Sequence, residues 1–384
     1  MSDTKPPRIR LGMVGGGKDA FIGAVHRIAA RIDDEYELVA GALSSTPEKA
    51  QASGRALGLA ADRTYDDFAT MAKREARRKN GIEAVAIVTP NHMHAPAAKE
   101  FLKRGIHVIC DKPLTATLPE ARKLAKAAAD ADALFILTHK YTGYPMVRQA
   151  RAMVRDGTLG TIRVVQVEYA QDWLATPLEE SGAKQAEWRT DPARSGAGGS
   201  TGDIGTHAFN LASFVTGLTL EELAADLQSF VPGRRVDDNG HVLLRFAGGA
   251  RGMLWCSQVA TGSENALRLR VYGDKGGVEW AQEDPNYLWY TPLGEPKRLL
   301  TRGGAGAGPD AARVSRVPGG HPEGYLEGFA TLYAEAARAI RAKQAGKPVP
   351  NEVLYPTIED GVTGVAFVDA CVRSSSRNGA WVTL

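Results

Sequence analysis

IRLGMVGGGKDAFIGAVHRIAARI, residues 9–32, passes from an apolar run through three glycines into a helical periodicity. Ile9 to Val14 read as a buried strand, and Ile22, Val25, Ile28 and Ala29 recur at helical spacing. Between them, Gly15 and Gly17 fit the first two glycines of a dinucleotide fingerprint, with Gly16 in the same turn. One makes the tight turn. The other lets backbone N–H groups approach a pyrophosphate at the N-terminus of the helix that opens at Phe21 and Ile22. The third glycine is due three residues after Gly17; it is Gly23, six residues on, so the loop carries a three-residue insertion. A glycine cluster alone fits an ordinary turn. Its place, after the first strand and before the first helix, is the one the phosphate-binding mechanism requires.

The same grammar continues outward. YELVAGAL is a strand, TPEKAQASGRALG a helix, and ADRTYD a short strand before a helix over 66–79. EAVAIVT, HVICD and LFILTH are strands separated by the helices APAAKEFLKRG and LPEARKLAKAAADA. Such alternation predicts βαβ units and a doubly wound parallel sheet, a first domain over residues 1–141. After a helix near 145–156 the pattern changes. IRVVQVEYAQDW, ELAADLQSFV, HVLLRFAGG, ARGMLWCSQV, ALRLRVYG, GVEWAQE and NYLWYTP are strand-like and joined by short Gly-rich turns. The alternation in ALRLRVYG predicts a largely antiparallel sheet with one face buried against helices. Residues 142–384 therefore form an α+β domain, with the final helix free to pack back on the first domain. RGGAGAGPDAARVSRVPGG, 302–320, is a Gly/Ala/Pro-rich loop, and helices over about 322–343 and 356–375 follow.

Composition narrows the function. The 384 residues exceed one ordinary core and suit two domains. Forty-seven basic residues against 44 acidic ones leave a formal charge of +3, too balanced for a nucleic-acid binder. No segment approaches the ~20 apolar residues of a membrane span, and MSDTKPPRIRLGMVGGG lacks the apolar core of a signal peptide. Three scattered cysteines suggest neither a disulfide framework nor zinc. The expectation is a cytoplasmic enzyme with reduced thiols.

Two further places carry chemistry. Asp111, Lys112 and Pro113 end an apolar strand, where doubly wound sheets bind ligands. A lysine there can hold a substrate hydroxyl and stabilise a developing alkoxide, although a surface lysine after a strand is the commoner case. In GGSTGDIGTHAFNLASFVTG, Asp203 and His207 stand four apart at the start of an amphipathic helix, on one face, after a mobile small-residue loop that can approach a ligand. Histidine suits proton transfer near neutral pH. By spacing alone, an N-cap Asp203 and a half-buried His207 explain the pattern as well.

GMVGGG, GAVH, TPNHMH, CDKP, WRTDP, GAGGSTGDIGTH and the closing DACVRSSSRNGAWV together resemble the Gfo/Idh/MocA oxidoreductases, over nearly the whole chain. The resemblance implies sugar or cyclitol dehydrogenation, a Rossmann domain and a C-terminal domain with an open sheet. It places Lys112 by the nicotinamide, with Asp111 where the family has Glu, and makes Asp203 and His207 the pair that supplies the base. Thr89, Pro90 and Asn91 then lie beside the nicotinamide ribose, with His94 at the start of the next helix. His92 and His94 lack a carboxylate or cysteine at ligand spacing, so no metal is expected. Leu43, Ser44 and Ser45 take the corner where a carboxylate would bind a ribose 2′-hydroxyl, and Lys49 is several residues into the helix. NAD and NADP both remain open.

His139, Tyr141 and Tyr144 follow the last Rossmann strand and are candidates for the pocket floor, His139 on the cofactor side. Trp173, Lys184, Trp188 and Arg189 precede the Asp203 segment; aromatic faces suit sugar C–H faces, and the cations suit an anionic substituent. His321 follows a flexible loop, as a lid residue or a helix start. The reading is an NAD(P)-dependent oxidoreductase acting on a secondary hydroxyl of a pyranose, glycoside or cyclitol. Two alternatives stand: an NAD-dependent glycosidase that recycles a bound cofactor, and a non-catalytic NAD(P)-binding sensor. The apolar outer face of the open sheet predicts a homodimer or homotetramer.

Overall fold

The computed structural model describes residues 6–18 and 20–384. Asp19, in the inserted loop, and the first five residues, part of the stretch read against a signal peptide, lie outside the described residues. In chain order the elements are β1 (Ile9–Gly15), α1 (Phe21–Ile32), β2 (Tyr36–Ala42), α2 (Pro47–Ala56), α3 (Phe68–Glu75), β3 (Ala84–Val88), α4 (His94–Leu102), β4 (His107–Cys110), α5 (Leu118–Ala129), β5 (Phe135–Leu137), α6 (Pro145–Arg155), β6 (Ile162–Ala170), α7 (Lys184–Arg189) and α8 (Pro192–Ser195). Then come α9 (Thr206–Thr216), β7 (Leu220–Gln228), β8 (Asn239–Phe246), β9 (Arg251–Ser257), β10 (Ala266–Gly273), β11 (Gly276–Ala281), β12 (Tyr287–Pro292), β13 (Arg298–Thr301), α10 (Pro309–Ala312), α11 (Tyr325–Gln344), α12 (Ile358–Ser375) and β14 (Val382–Thr383).

The chain packs as two units. The first takes the chain up to Leu114, Pro119–Lys140 and Tyr325–Gly361. Its parallel sheet has the order β2-β1-β3-β4-β5, so the order reverses between β1 and β3. That is the switch point at which such sheets bind ligands, outside the carboxyl ends of their strands. Val25 and Ala29 of α1, with Phe329, Tyr333 and Ile340 of α11, pack on Leu11, Met13 and Ala86. On the other face Met71 of α3 presses on Gly12, where a Cβ would meet its Cε at 2.3 Å. The sequence boundary at 141 does not anticipate that 325–361 belong here. The helix that returns is α11, held by His26 Nδ1 at 2.9 Å from the Tyr333 hydroxyl. ADRTYD is not a strand: Ala61–Arg63 form a 3₁₀ turn, and only Thr64 bridges to Gly41. Arg63 and Tyr65 both turn inward onto Glu75, which pins the segment beside α3.

The second unit takes Thr115–Leu118, Tyr141–Gly324 and Val362–Leu384. Its nine-stranded sheet runs β13-β12-β11-β10-β6-β9-β8-β7-β14. Every neighbouring pair is antiparallel except β6 with β9. One face buries Val165, Val167, Leu254, Leu269 and Val271 together with Ala208, Leu211 and Phe367. The other leaves Leu243, Met253, Tyr272 and Trp289 exposed. α9 is not amphipathic: Thr206 to Ala212 are all buried, and Phe209 stacks on Phe367 of α12 at 4.5 Å. The segment 302–320 is not all loop, since Pro309 starts the short helix α10 within it, and it is pinned. The buried Arg302 donates to Asn286 Oδ1 at 2.9 Å, to the carbonyls of Val317, Pro318 and His321, and pairs with Glu323 at 3.0 Å. His321, read as a lid residue, is exposed with its backbone held. Among the described residues no helix is long and apolar enough to cross a membrane.

Candidate active site

In the first unit the candidate residues are mainly backbone. Gly15 and Gly16 have φ of 76° and 66°, the left-handed region that favours glycine. A Cβ on Gly15 would lie 2.8 Å from the Val88 carbonyl oxygen. One on Gly23 would lie 2.3 Å from the Gly16 oxygen, so the displaced third glycine still performs the close helix-to-turn packing of the fingerprint. Gly17 differs from its expected part. Its Cβ direction meets Leu43 O and Ser53 Oγ at 2.6 Å, and its N–H donates to Leu43 O at 3.1 Å. Gly17 closes the turn against the loop after β2 rather than making room for a phosphate. Ser53 also accepts from the Lys18 N–H at 3.1 Å, and Arg27 donates to the Gly16 carbonyl.

α1 starts at Phe21 with no side-chain cap from Ala20, so its first N–H groups face an anion or water. Phe21 is 71% exposed beside this end. Thr89, directly after β3, has a buried Oγ1 with no hydrogen-bond partner. Left-handed glycines, an uncapped helix end and an orphaned hydroxyl at the switch point fit NAD. Ser44 bonds within its own loop, to the Thr46 N–H at 3.3 Å, while Ser45 and Lys49 are exposed.

The turn carrying Lys112 is held from several sides. Asp111 N–H donates to Ile87 O at 2.9 Å. Asp111 Oδ1 accepts from the Lys112 N–H at 3.0 Å and from Thr138 Oγ1 at 2.9 Å. Pro113, after a cis peptide bond, has its carbonyl 2.8 Å from His94 Nδ1, and His94 Nε2 lies 2.8 Å from Thr89 O. Asp111 and His94, expected as cofactor contacts, thus bind the two turns that flank the site. The short carboxylate of Asp111 reaches the next residue's N–H. His139 is buried, and burial, then the Lys112 charge, pushes its pKa down to about 3, so its ring is neutral beside the lysine. Asn91 is buried in a 3₁₀ turn, Asn91–Met93, behind Pro90.

In the second unit the candidate residues are held by side chains. Residues 201–205 form one π-helical turn leading into α9, a distortion common at functional sites. Asp237 organises it: its carboxylate accepts from Gly199 N and Ser200 Oγ at 2.7 Å, and from Thr201 N and Oγ1 at 2.8 Å. The small residues before it pack on protein, a Gly199 Cβ falling 2.0 Å from Asp237 O. The expected mobile loop is a wrapped one. Asp203 Oδ2 receives Gln258 Nε2 at 3.0 Å and Arg189 Nε at 3.3 Å. The Arg189 guanidinium stands 4.2 Å from the Trp188 ring centroid and 5.8 Å from that of Trp173. Trp173, Trp188, Arg189 and Asp203 therefore converge, and Arg189 is charge-matched. Lys184, at the start of α7, is exposed.

His207 meets Tyr141 edge to face, ring centroids 4.9 Å apart. Tyr141 and Tyr144 are each 1% exposed and stacked at 5.9 Å. They are interior supports rather than an open floor, and Tyr141 O–H pairs with the Tyr169 hydroxyl at 2.5 Å. Tyr169, Asn265, Gln258, Asp237 and Thr138 escaped the sequence reading. Each is linked to its partner across 27 or more residues, and no local motif marks them.

Known proteins share this fold. Residues 9–139 match the oxidoreductase family with an NAD-binding Rossmann fold, and residues 147–279 match the GFO/IDH/MocA C-terminal domain. An uncharacterized oxidoreductase, YfiI, of Bacillus subtilis is 36% identical over 97% of this chain and 96% of its own. Levoglucosan dehydrogenase of Pseudarthrobacter phenanthrenivorans is 28% identical, covering 97% of both chains. The crystal structure of an oxidoreductase from Sinorhizobium meliloti has 68% identity and a TM-score of 0.91, covering 98% of this chain and 100% of that one. An inositol dehydrogenase homologue of Azotobacter vinelandii, complexed with NADH and myo-inositol, has 36% identity and a TM-score of 0.91, covering 98% of each. The chain is an NAD-binding oxidoreductase and belongs to the GFO/IDH/MocA family.

Proposed function

We propose that the protein transfers hydride between NAD and a secondary hydroxyl or keto group of a neutral pyranose, glycoside or cyclitol. The observation that carries this reading is the Lys112 turn, tied by Asp111, Thr138 and His94 at the carboxyl end of β4. Bound NAD supplies the hydride acceptor at the nicotinamide. Lys112 donates to the substrate oxygen and stabilises its developing charge. His207 takes the hydroxyl proton, and Asp203 accepts from a second hydroxyl. Trp173 and Trp188 face sugar C–H groups. The match of Arg189 with Asp203 favours a neutral polyol over a sugar acid, since an anion would have to displace that carboxylate. Relatives named for levoglucosan and complexed with myo-inositol support the class. Ser44 and Ser45 present no carboxylate to a 2′-phosphate, so NADP is also accepted.

The test is a screen of inositols, anhydrosugars, glycosides and sugar acids with NAD and NADP, reading reduced nicotinamide and products together. A neutral polyol oxidised with stoichiometric NADH is expected. Release of an aglycone with no NADH would replace the reading by cofactor-recycling hydrolysis, and no turnover on any polyol would leave a sensor. A second proposal concerns assembly. The open sheet face pairs Leu243, Met253, Tyr272 and Trp289 with an ion ladder, Arg270 to Glu168 at 3.1 Å and Lys297 to Glu279 at 3.3 Å. It joins two copies as a homodimer or within a homotetramer; light scattering reads the mass, and a monomer at micromolar concentration would end the idea.

A further inference from the structure

The connection between β7 and β8, residues 229–238, reaches three segments of the second unit that carry candidate substrate residues. Asp237 holds the turn that contains Asp203. Arg235 pairs at 3.0 Å with Asp191, which caps α8 just after Arg189. Asp238 accepts from the N–H groups of Phe230 and Val231 at 2.9 and 3.0 Å, closing the connection on itself. Arg234 reaches furthest. Its side chain is 1% exposed and crosses to the segment 174–179, which follows Trp173.

A guanidinium has five N–H donors in one plane and no acceptor. All five of Arg234 are used. Nε and Nη2 donate to the two oxygens of Glu179 at 2.9 and 2.8 Å. Nη1 donates to Leu174 O at 2.8 Å and to Asp238 Oδ2 at 3.2 Å, and Nη2 donates to Thr176 O at 3.1 Å. Leu174 N–H donates to Gln258 O at 3.1 Å, and Gln258 N–H to Asp238 O at 2.8 Å. The peptide groups on both sides of Leu174 are thus fixed, one by Arg234 and one by Gln258, whose side chain holds Asp203. Among the described residues, the other hydrogen bonds of 175–181 stay within 172–181, such as Leu178 N–H to Thr176 O and Ser181 Oγ to Leu178 O.

A buried cation between carboxylates stabilises a fold little better than apolar packing of the same shape. What it adds is geometry. A planar fork fixes several points of a loop at once, which the point charge of a lysine does not. Arg234 also holds the Glu179 carboxyl below the usual carboxylate range, so the pair stays charged.

We propose that Arg234 is a positioning residue for substrate choice: by clamping Leu174, Thr176 and Glu179 it sets where Trp173 stands against Asp203, and so which polyols are accepted. The proposal rests on the function proposed above, in which Trp173 faces sugar C–H groups and Asp203 accepts from a hydroxyl. It assigns the choice to a buried residue that makes no substrate contact itself.

The experiment uses the full-length protein labelled with 5-fluorotryptophan and compares Arg234→Lys, Arg234→Met and Glu179→Gln, with Trp173→Phe to identify the Trp173 signal. In the ligand-free Arg234 variants the ¹⁹F signal of Trp173 should shift or broaden, while that of the buried Trp280 keeps its place. With the best polyol from the screen, both Arg234 variants should raise KM about tenfold or more, with kcat and NAD affinity within about threefold. The kcat/KM ratio between the best and the second polyol should fall by a similar factor. Glu179→Gln keeps the bonds to the two carbonyls and should move the same readings less. A wild-type KM and polyol ratio in Arg234→Lys would overturn the proposal. So would joint losses of kcat, KM and NAD affinity with a displaced Trp280 signal, which describe lost packing. If neither Arg234 variant folds, Glu179→Gln decides, and a wild-type Trp173 signal and KM there overturn the clamp. If the wild-type protein oxidises no polyol, the proposed function fails, while the ligand-free Trp173 signal still decides whether Arg234 holds the loop.

Discussion

The two units hold their candidate functional residues by opposite means. In the first, the contacts that matter come from backbone: left-handed Gly15 and Gly16, the end of α1, and the carbonyls of Thr89 and Pro113 clasped by His94. In the second they come from side chains: Asp203, Arg189, Gln258, His207 and the phenols behind it. A site made of backbone changes only if the fold changes. A site made of side chains can be altered one residue at a time. Under the proposed function, the common cofactor is matched to the backbone-built residues and choice among polyols to the side chains that substitution can reach. The sheets show the same contrast. AVAIV of β3 is buried at every position, whereas ALRLRVYG of β10 alternates, because one sheet is covered on both faces and the other on one.

Matched substitutions at two crowded glycines should separate the halves most strongly. Gly23→Val puts a side chain into the Gly16 carbonyl and should weaken NAD binding by about 100-fold or more, ~2.7 kcal/mol. Gly199→Val, crowded against Asp237, should abolish turnover while calorimetry still finds NAD binding near wild type. Equal loss of NAD affinity in both would erase the distinction. Next come Lys112→Ala and His207→Asn, each expected to lower kcat by ~10²–10⁴-fold with NAD affinity nearly unchanged. Turnover within about tenfold of wild type would remove that residue from the chemistry.

Acid should then tell the units apart. His26, His94, His107 and His139 all lie in the first unit, and burial pushes each below the ordinary histidine value, His107 to about 4 and His139 to about 3. The unfolded chain binds these protons near pH ~6.5. The stabilisation from keeping them neutral is complete above that pH. It falls as pH drops toward the folded values, by up to ~1.4 kcal/mol per pH unit for each group. Hydrogen exchange at about pH 5 should show amides of β1, β3 and β4 losing protection before those of β6, β9 and β10; the reverse order would refute it. The smallest effect belongs to the open face. Met253→Lys and Trp289→Lys should change monomer stability by only ~0.5 kcal/mol each yet lower the mass seen by light scattering.

What was legible followed local rules. The glycine turn, Lys112 at a strand end and the alternation of β10 are short-range patterns, and all three lie where they were expected. The 3₁₀ turn at Ala61–Arg63 was misread because Thr64 and Tyr65 have strand propensity, and Glu75, which draws Arg63 and Tyr65 inward, is too far along the chain for a pattern to show. α9 looked amphipathic because Asn210 and Ser213 interrupt its apolar run, yet Asn210 is buried with the rest. Asp237 and Asn265 were invisible for a plainer reason. A lone acid or amide in a loop carries no mark of the partner it will meet dozens of residues away.

The passage of α11 back into the first unit sets a constraint on synthesis. A ribosome releases β1 to β5 early, but Phe329, Tyr333 and Ile340, which cover Leu11, Met13 and Ala86, emerge only after the whole nine-stranded sheet apart from β14. The nascent first unit must therefore wait with one apolar flank bare, and the second cannot close before α12 arrives. Both reach completion within the last stretch of chain, 325–384. A fragment cut at residue 141 would be a sheet missing part of its own cover, prone to aggregate. The shortest autonomous piece of this enzyme is close to the entire polypeptide, and a nonsense codon late in the message would cost both halves at once.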